Sequence, residues 1–237
     1  DNIYIQLMIV STVWLGLLGF LDDYIKVFRH NKEGLKGRFK IVGQVGLGII
    51  VGTTMWLSPQ IIVREKVTQP VQTVYLNEDG TVLETVQRRV VVSSESLKTT
   101  QTTIPFVKNN EFDYGWLTGG NTVATWILYV LVAIFVVTAV SNGANLTDGL
   151  DGLAVGVSSI ASITMLAVAL LTDNMAIAIT MAALTGACIG FMPYNLNPAK
   201  IFMGDTGSTF LGYMLATVSI MGLFKFYAVI SFAVPFL

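Results

Sequence analysis

The sequence predicts an all-α polytopic membrane protein, a bundle of about seven transmembrane helices with a small extracytoplasmic β-rich insertion. Three observations carry that reading. Of the 237 residues, 53% are hydrophobic and only 12% charged, against roughly 25% charged in a soluble domain; the mean hydropathy is +0.67. Successive apolar runs approach the ~20 residues that cross a bilayer. A single long polar stretch alternates Val and Thr with polar residues, the period of a strand rather than a helix. The net charge of −1 gives no electrostatic signature of a nucleic-acid partner, and the single Cys188 rules out a disulfide framework or thiol metal site.

Ile3–Leu21 is apolar apart from Gln6, Ser11 and Thr12, reads as the first span, and ends in Asp22-Asp23. The stretch 22–40 follows as a short basic loop with Lys26, Arg29, Lys32, Lys36, Arg38 and Lys40; such loops face the cytoplasm. Ile41–Leu57 is the second span, and its Gly43, Gly46, Gly48 and Gly52 predict close helix packing. These two spans and their loop form the segment 1–57. Residues 58–116 form the insertion, with strands expected at Gln72–Leu76 and Thr81–Val92 around a turn at Asn77-Glu78-Asp79-Gly80. Its six Lys and Arg leave the orientation unchanged, because loops near ~60 residues translocate largely regardless of charge. It reads as a surface for an unknown partner.

Within 117–237 the remaining spans are Val123–Val140, Leu153–Leu171, Met175–Met192, Thr209–Leu223 and a seventh beginning at Tyr227, with Asp173-Asn174 as a tight turn. Two polar interruptions, 141–152 and 193–208, separate them. The first reads S-N-G-A-N-L-T-D-G-L-D-G. Asp148 and Asp151 are expected to share the first turn of the helix that follows, where the dipole favours carboxylates; the structural alternative is a capped helix start. Gly149 and Gly152 leave room for a ligand beside each acid. The chain begins at Asp1 and stops in an apolar run, has no signal peptide, and is expected to be a piece of a longer protein.

Because each span reverses the side, Asp22, Asp23, Asp148, Asp151 and Asp205 all fall on the cytoplasmic side, next to the basic loop, while 58–116 falls outside. Clustered acids raise one another's pKa unless a cation intervenes. His30, the only histidine, lies in the basic loop, and an oxygen-only ligand set favours Mg²⁺ or Mn²⁺ over Zn²⁺. Carboxylates, a hard cation and adjacent lysines are the parts of phosphoryl transfer. G-D-T-G-S lacks the P-loop spacing, and Thr206 after Asp205 is not the Lys of an aspartyl-phosphate motif.

Four stretches in order, F-L-D-D-Y-I-K (20–26), G-L-K-G-R-F-K-I-V-G-Q (34–44), N-G-A-N-L-T-D-G-L-D-G-L-A (142–154) and F-M-G-D-T-G-S (202–208), resemble the phospho-N-acetylmuramoyl-pentapeptide transferase family, within the polyprenyl-phosphate N-acetylhexosamine-1-phosphate transferases. The resemblance implies Mg²⁺-dependent transfer from UDP-MurNAc-pentapeptide to undecaprenyl phosphate in a bacterial inner membrane, giving lipid I and UMP. It implies Asp22 and Asp23 near the lipid phosphate, Asp205 as Mg²⁺ ligand and Lys26 facing phosphates. Asn142, Asn145, Asp148, Asp151 and Asn195 would line the cleft, with Gly149, Leu150, Asp151 and Phe202 around the uracil. It leaves room for a homodimer. A His-rich cytoplasmic loop that the resemblance also implies is not in this sequence, so the piece alone is expected to be inactive. The insertion is longer than the family pattern. A GlcNAc-1-phosphate transferase, a cation transporter and a non-catalytic scaffold are the alternatives; transport sites lie near the bilayer midplane rather than at span ends.

Overall fold

The computed structural model describes residues 2–30, 34–61, 63–76, 82–97, 100–104, 111–222 and 225–233. Among the described residues, seven α-helices make up most of the larger unit: α1 (Ile3–Phe28), α2 (Gly37–Leu57), α3 (Thr122–Thr147), α4 (Leu153–Leu171), α5 (Met175–Asn195), α6 (Gly204–Met221) and α7 (Lys225–Ala233). The chain is a multi-pass membrane protein, with α1 to α5 long and apolar enough to span. α6 has 18 residues and less apolar character. It does not need more, because Leu211 to Met221 are all buried, so the helix meets protein rather than lipid. Its polar side chains find internal acceptors: Ser219 donates to Ala216 O (2.7 Å) and Thr217 to Ser11 Oγ (3.2 Å).

α6 packs between α1 and α3, α2 lies against α3, and α4 pairs with α5. Glycine sets the closest approaches. A Cβ at Gly48 would lie 2.6 Å from Ile134 Cα, and one at Gly52 would lie 3.1 Å from Val130 Cα. The expectation for α2 therefore holds, with Gly46 only in ordinary contact with Trp14 (3.5 Å). At Gly19 a Cβ would sit 2.7 Å from Thr206 Cα, so α1 touches the start of α6 backbone to backbone. Gly19→Ala is expected to cost about 1–3 kcal/mol by overpacking and to lower the thermal midpoint. Gly16→Ala, where nothing lies within 4 Å, serves as the control.

Several helices run past their apolar runs. α1 continues seven residues beyond Leu21, and α3 seven beyond Val140, because both are packed and hydrogen-bonded there; Thr147, for example, donates to Gly143 O at 2.7 Å. The basic stretch is thus no simple loop: Lys26 belongs to α1, and Arg38 and Lys40 to α2. Asp173 takes φ +56 and Asn174 caps α5 through Ile177 N (3.3 Å), the tight turn expected there.

The smaller unit, Pro59–Thr99, is an antiparallel hairpin of β1 (Val63–Leu76) and β2 (Val82–Leu97). Val63 pairs with Leu97 and Leu76 with Val82, with irregularities at Val67/Thr68 and Tyr75/Leu76. Both strands are longer than the alternation suggests; the expected Asn77–Gly80 turn lies outside the described residues. Residues 100–116 belong to the helical unit, where β3 (Thr102–Thr103) pairs with β4 (Glu111–Phe112) ahead of a 3-10 turn at Tyr114–Trp116.

Candidate active site

Asp22 and Lys26 lie one turn apart on α1 and pair at 2.6 Å. Lys40, in the first turn of α2, reaches the same Asp22 oxygen at 3.0 Å. Both ammoniums also meet one oxygen of Asp205, in the first turn of α6, at 2.9 Å from Lys26 and 2.6 Å from Lys40. Two acids and two lysines from three helices therefore form one alternating quartet. Asp22 is 1% exposed, and its second oxygen accepts the Leu35 amide at 2.6 Å, which ties down the connection into α2. Burial pushes the Asp205 carboxyl up, but its hydrogen bonds with Asp22, Lys40, Lys26 and Asn145 outweigh burial and hold it well below the usual carboxylate range.

The neighbouring Asp23 turns to a different task. It accepts from the amides of Asp205 (3.3 Å) and Thr206 (2.8 Å) and from the Thr206 hydroxyl. Those are the unpaired donors at the start of α6, so Asp23 caps that helix from α1. Gly204, at φ +68, makes the turn into α6, with the Asp23 carboxylate 3.2 Å from where its Cβ would stand.

Beside the quartet lies a small cleft of about 20 Å³, lined by Leu18, Gly19, Gln44, Asn142, Asn145 and Tyr213, among others. Gln44 and Asn142 exchange amide hydrogen bonds at 3.2 and 3.0 Å. Asn145 donates to Ser208 Oγ at 3.1 Å.

The second acidic pair stands apart. Asp148 is the C-cap of α3 and Asp151 lies in the turn after it; α4 starts at Leu153 behind a left-handed Gly152 (φ +79), with no acid in its first turn. The first-turn expectation fails because the polar residues 141–147 extend α3 and displace the next helix start. Asp148 is pushed up to about 6, by burial first and then by the Asp205 charge, against the Gly204 amide that donates to it. It therefore faces the α6 start. Asp151 accepts from Asn197 Nδ2 (3.3 Å) and Ala199 N (3.0 Å), holding the loop before α6. Asn195, 2% exposed, accepts from Gly152 N (3.3 Å) and donates to Ile201 O (3.1 Å), joining the two interruptions. Gly149, Leu150 and Phe202 are exposed at this same end.

Asp22, Asp23 and Asp205 each offer an oxygen within 4.8 Å of the others, a set that could hold a metal ion. The donors fit a hard cation, being oxygens only. Three acids against two lysines also leave the cluster one positive charge short of neutral.

The family model for glycosyl transferase family 4 matches residues 5–223. The chain belongs to glycosyl transferase family 4. Relatives named phospho-N-acetylmuramoyl-pentapeptide-transferase are similar along most of it. The Phocaeicola vulgatus protein is 46% identical over 239 residues, and the Parabacteroides distasonis protein 47% over 240. That of Flavobacterium psychrophilum is 44% identical over 239. Each alignment covers 93% of this chain and 54% to 56% of the relative, so the chain spans about half the length of the curated relatives it matches. The family 4 match runs from the first turn of α1 through α6 and thus includes every residue of the quartet.

Sequence reasoning named the acids and Lys26 of this family 4 chain but treated Lys40 only as one basic charge among six. A cation near the start of a helix opposes the dipole and needs an anion nearby, and α2 has no acid of its own in that turn. That mismatch was the available signal. The capping duty of Asp23 had none, since it depends on where α6 begins in space.

Proposed function

We propose that the intact protein transfers phospho-MurNAc-pentapeptide from UDP-MurNAc-pentapeptide to undecaprenyl phosphate, releasing UMP and forming lipid I. The observation that carries this reading is the quartet: Asp22 and Asp205, 183 residues apart in sequence, share both lysine ammoniums at 2.6–3.0 Å. The names and 44–47% identity of the similar proteins support the substrate pair.

In this reading Lys26 and Lys40 exchange their carboxylate partners for phosphate oxygens when substrate enters, so the site is preorganised for charge that arrives with the ligand. Asp205, held ionised by its neighbours, is the ligand for Mg²⁺, with Asp22 beside it; Mn²⁺ offers the same hard-donor preference. When bound, the metal supplies charge neutralisation on the diphosphate. Asp22 orients the acceptor phosphate. That monoester has a second pKa near ~6 and is mostly dianionic at neutral pH, so it attacks the sugar-linked phosphate directly, without a strong base or an aspartyl intermediate. Asp23 acts through α6, fixing Asp205 by its cap. The lysine-rich end, with Lys26, Arg29, Lys36, Arg38 and Lys40, belongs on the cytoplasmic side of the bacterial inner membrane. α2 then carries the chain to the opposite side before residue 58, which makes the insertion extracytoplasmic.

The test is UMP release by the full-length enzyme with Mg²⁺, undecaprenyl phosphate and either UDP-MurNAc-pentapeptide or UDP-GlcNAc. Turnover with the muramoyl nucleotide alone is expected. Turnover with UDP-GlcNAc alone would transfer the assignment to the GlcNAc-1-phosphate transferases.

A further inference from the structure

Asp22 follows directly on the apolar run of α1, at the polar end of the bundle, yet it is 1% exposed. Part of its cover is bare backbone. Gly34 is buried at φ +64, and a Cβ there would stand 2.5 Å from Asp22 Oδ1 and 2.7 Å from Lys26 Cε. The next residue, Leu35, donates its amide to that same Asp22 oxygen at 2.6 Å. The other oxygen, Oδ2, is the one that meets Lys26 and Lys40.

Other tight glycines of the helical unit meet framework. A Cβ at Gly48 would run into Ile134 Cα and one at Gly19 into Thr206 Cα, so those positions set how closely helices pack. At Gly34 the first atoms met belong to two members of the quartet. Neither is held by its own covalent structure, since a carboxylate turns about its torsions and a lysine ammonium rides on a flexible stem. The Leu35 amide fixes one Asp22 oxygen and so aims the other at the lysines. The Gly34 backbone, lying on Lys26 Cε, confines the stem. Glycine alone satisfies both demands here, because a side chain would take the room and the left-handed conformation disfavours other L-residues. Charged groups held in place need no reorganisation when charge arrives with a ligand. Keeping water off Asp22 also strengthens each of its ion pairs.

We propose that Gly34 is a positioning residue: its bare backbone lays the Leu35 amide on Asp22 and confines Lys26, setting both for the transfer. Gly34 acts through those two side chains rather than on substrate. The inference rests on the transferase reading above, and it adds the connection between α1 and α2 to the parts of the site.

The experiment measures thermal unfolding and kcat for UMP release per folded full-length enzyme. Gly34→Ala adds the Cβ and the left-handed strain together. Gly34→Asn adds the same Cβ, but Asn adopts the left-handed conformation more readily, so it retains more of the melting temperature. In both, kcat is expected to fall at least about tenfold, the size of one hydrogen bond to a charged group. An amide-to-ester replacement at Leu35 removes the donor, adds no atom, and is expected to lower kcat to a like extent. Gly37→Ala, where nothing lies within 4 Å, keeps the parent's kcat. Recovery of kcat in Gly34→Asn would reduce Gly34 to a turn residue and overturn the proposal. An unchanged kcat in the ester, or a loss in Gly37→Ala as large as in Gly34→Ala, overturns it too. Absence of UMP release by the unsubstituted enzyme would instead defeat the transferase reading, and this inference with it.

Discussion

Asp205→Asn in the full-length enzyme is expected to lower kcat/KM for UMP release by about a thousandfold while leaving the fold intact. Removing one preorganised electrostatic group from a catalytic site costs on the order of 10²–10³, and Asp205 is the proposed cation ligand as well as the partner of Lys26 and Lys40. The amide keeps the volume and one acceptor oxygen. The start of α6 is held by Asp23 through backbone amides, which the substitution does not touch. A melting temperature within a few degrees of the parent, together with the kinetic loss, separates a chemical role from a structural one.

Asp22→Ala is expected to damage both. Its carboxylate is almost wholly buried and serves two lysines and the Leu35 amide. Its removal leaves two partly buried ammoniums sharing one acid and strands a backbone donor. Removing one partner of a buried ion pair costs about 3–5 kcal/mol. Because the lysines are about one-third exposed, at 33% and 29%, the low end, about 3 kcal/mol, is the expected loss. It is read as a lowered unfolding midpoint in detergent. Asp22→Asn, which still accepts from Leu35, should recover most of the stability and little of the activity.

The helical class and most of the spans were legible because lipid-facing segments must be apolar for their whole length; α4 follows its apolar run from Leu153 to Leu171 at both ends. Ends packed against protein were not. α3 continues through Ser141, Gly143, Ala144 and Thr147, which are buried, and a hydropathy pattern cannot distinguish buried small polar residues from a loop. The same blindness put Asp148 and Asp151 in the first turn of α4, whereas they lie at and just past the end of α3, and began the sixth span at Thr209 rather than Gly204. Convergence of Asp22, Asp23 and Asp205 could be derived by counting crossings, since an even number of passes returns the chain to one side. What counting could not supply is the division of labour within the adjacent pair: Asp22 faces the lysines and Asp23 the α6 amides, directions set by a helical step of about 100° between neighbours.

The most direct measurement is Mn²⁺ binding by electron paramagnetic resonance to the full-length protein in lipid nanodiscs, with UDP-MurNAc-pentapeptide present and the lipid acceptor omitted. If carboxylates of α1 and α6 hold a cation against the incoming diphosphate, the unsubstituted protein binds one Mn²⁺ and Asp205→Asn weakens it by at least about tenfold, one hydrogen-bond-sized loss to a charged group. Equal Mn²⁺ affinity in the two proteins would contradict the account.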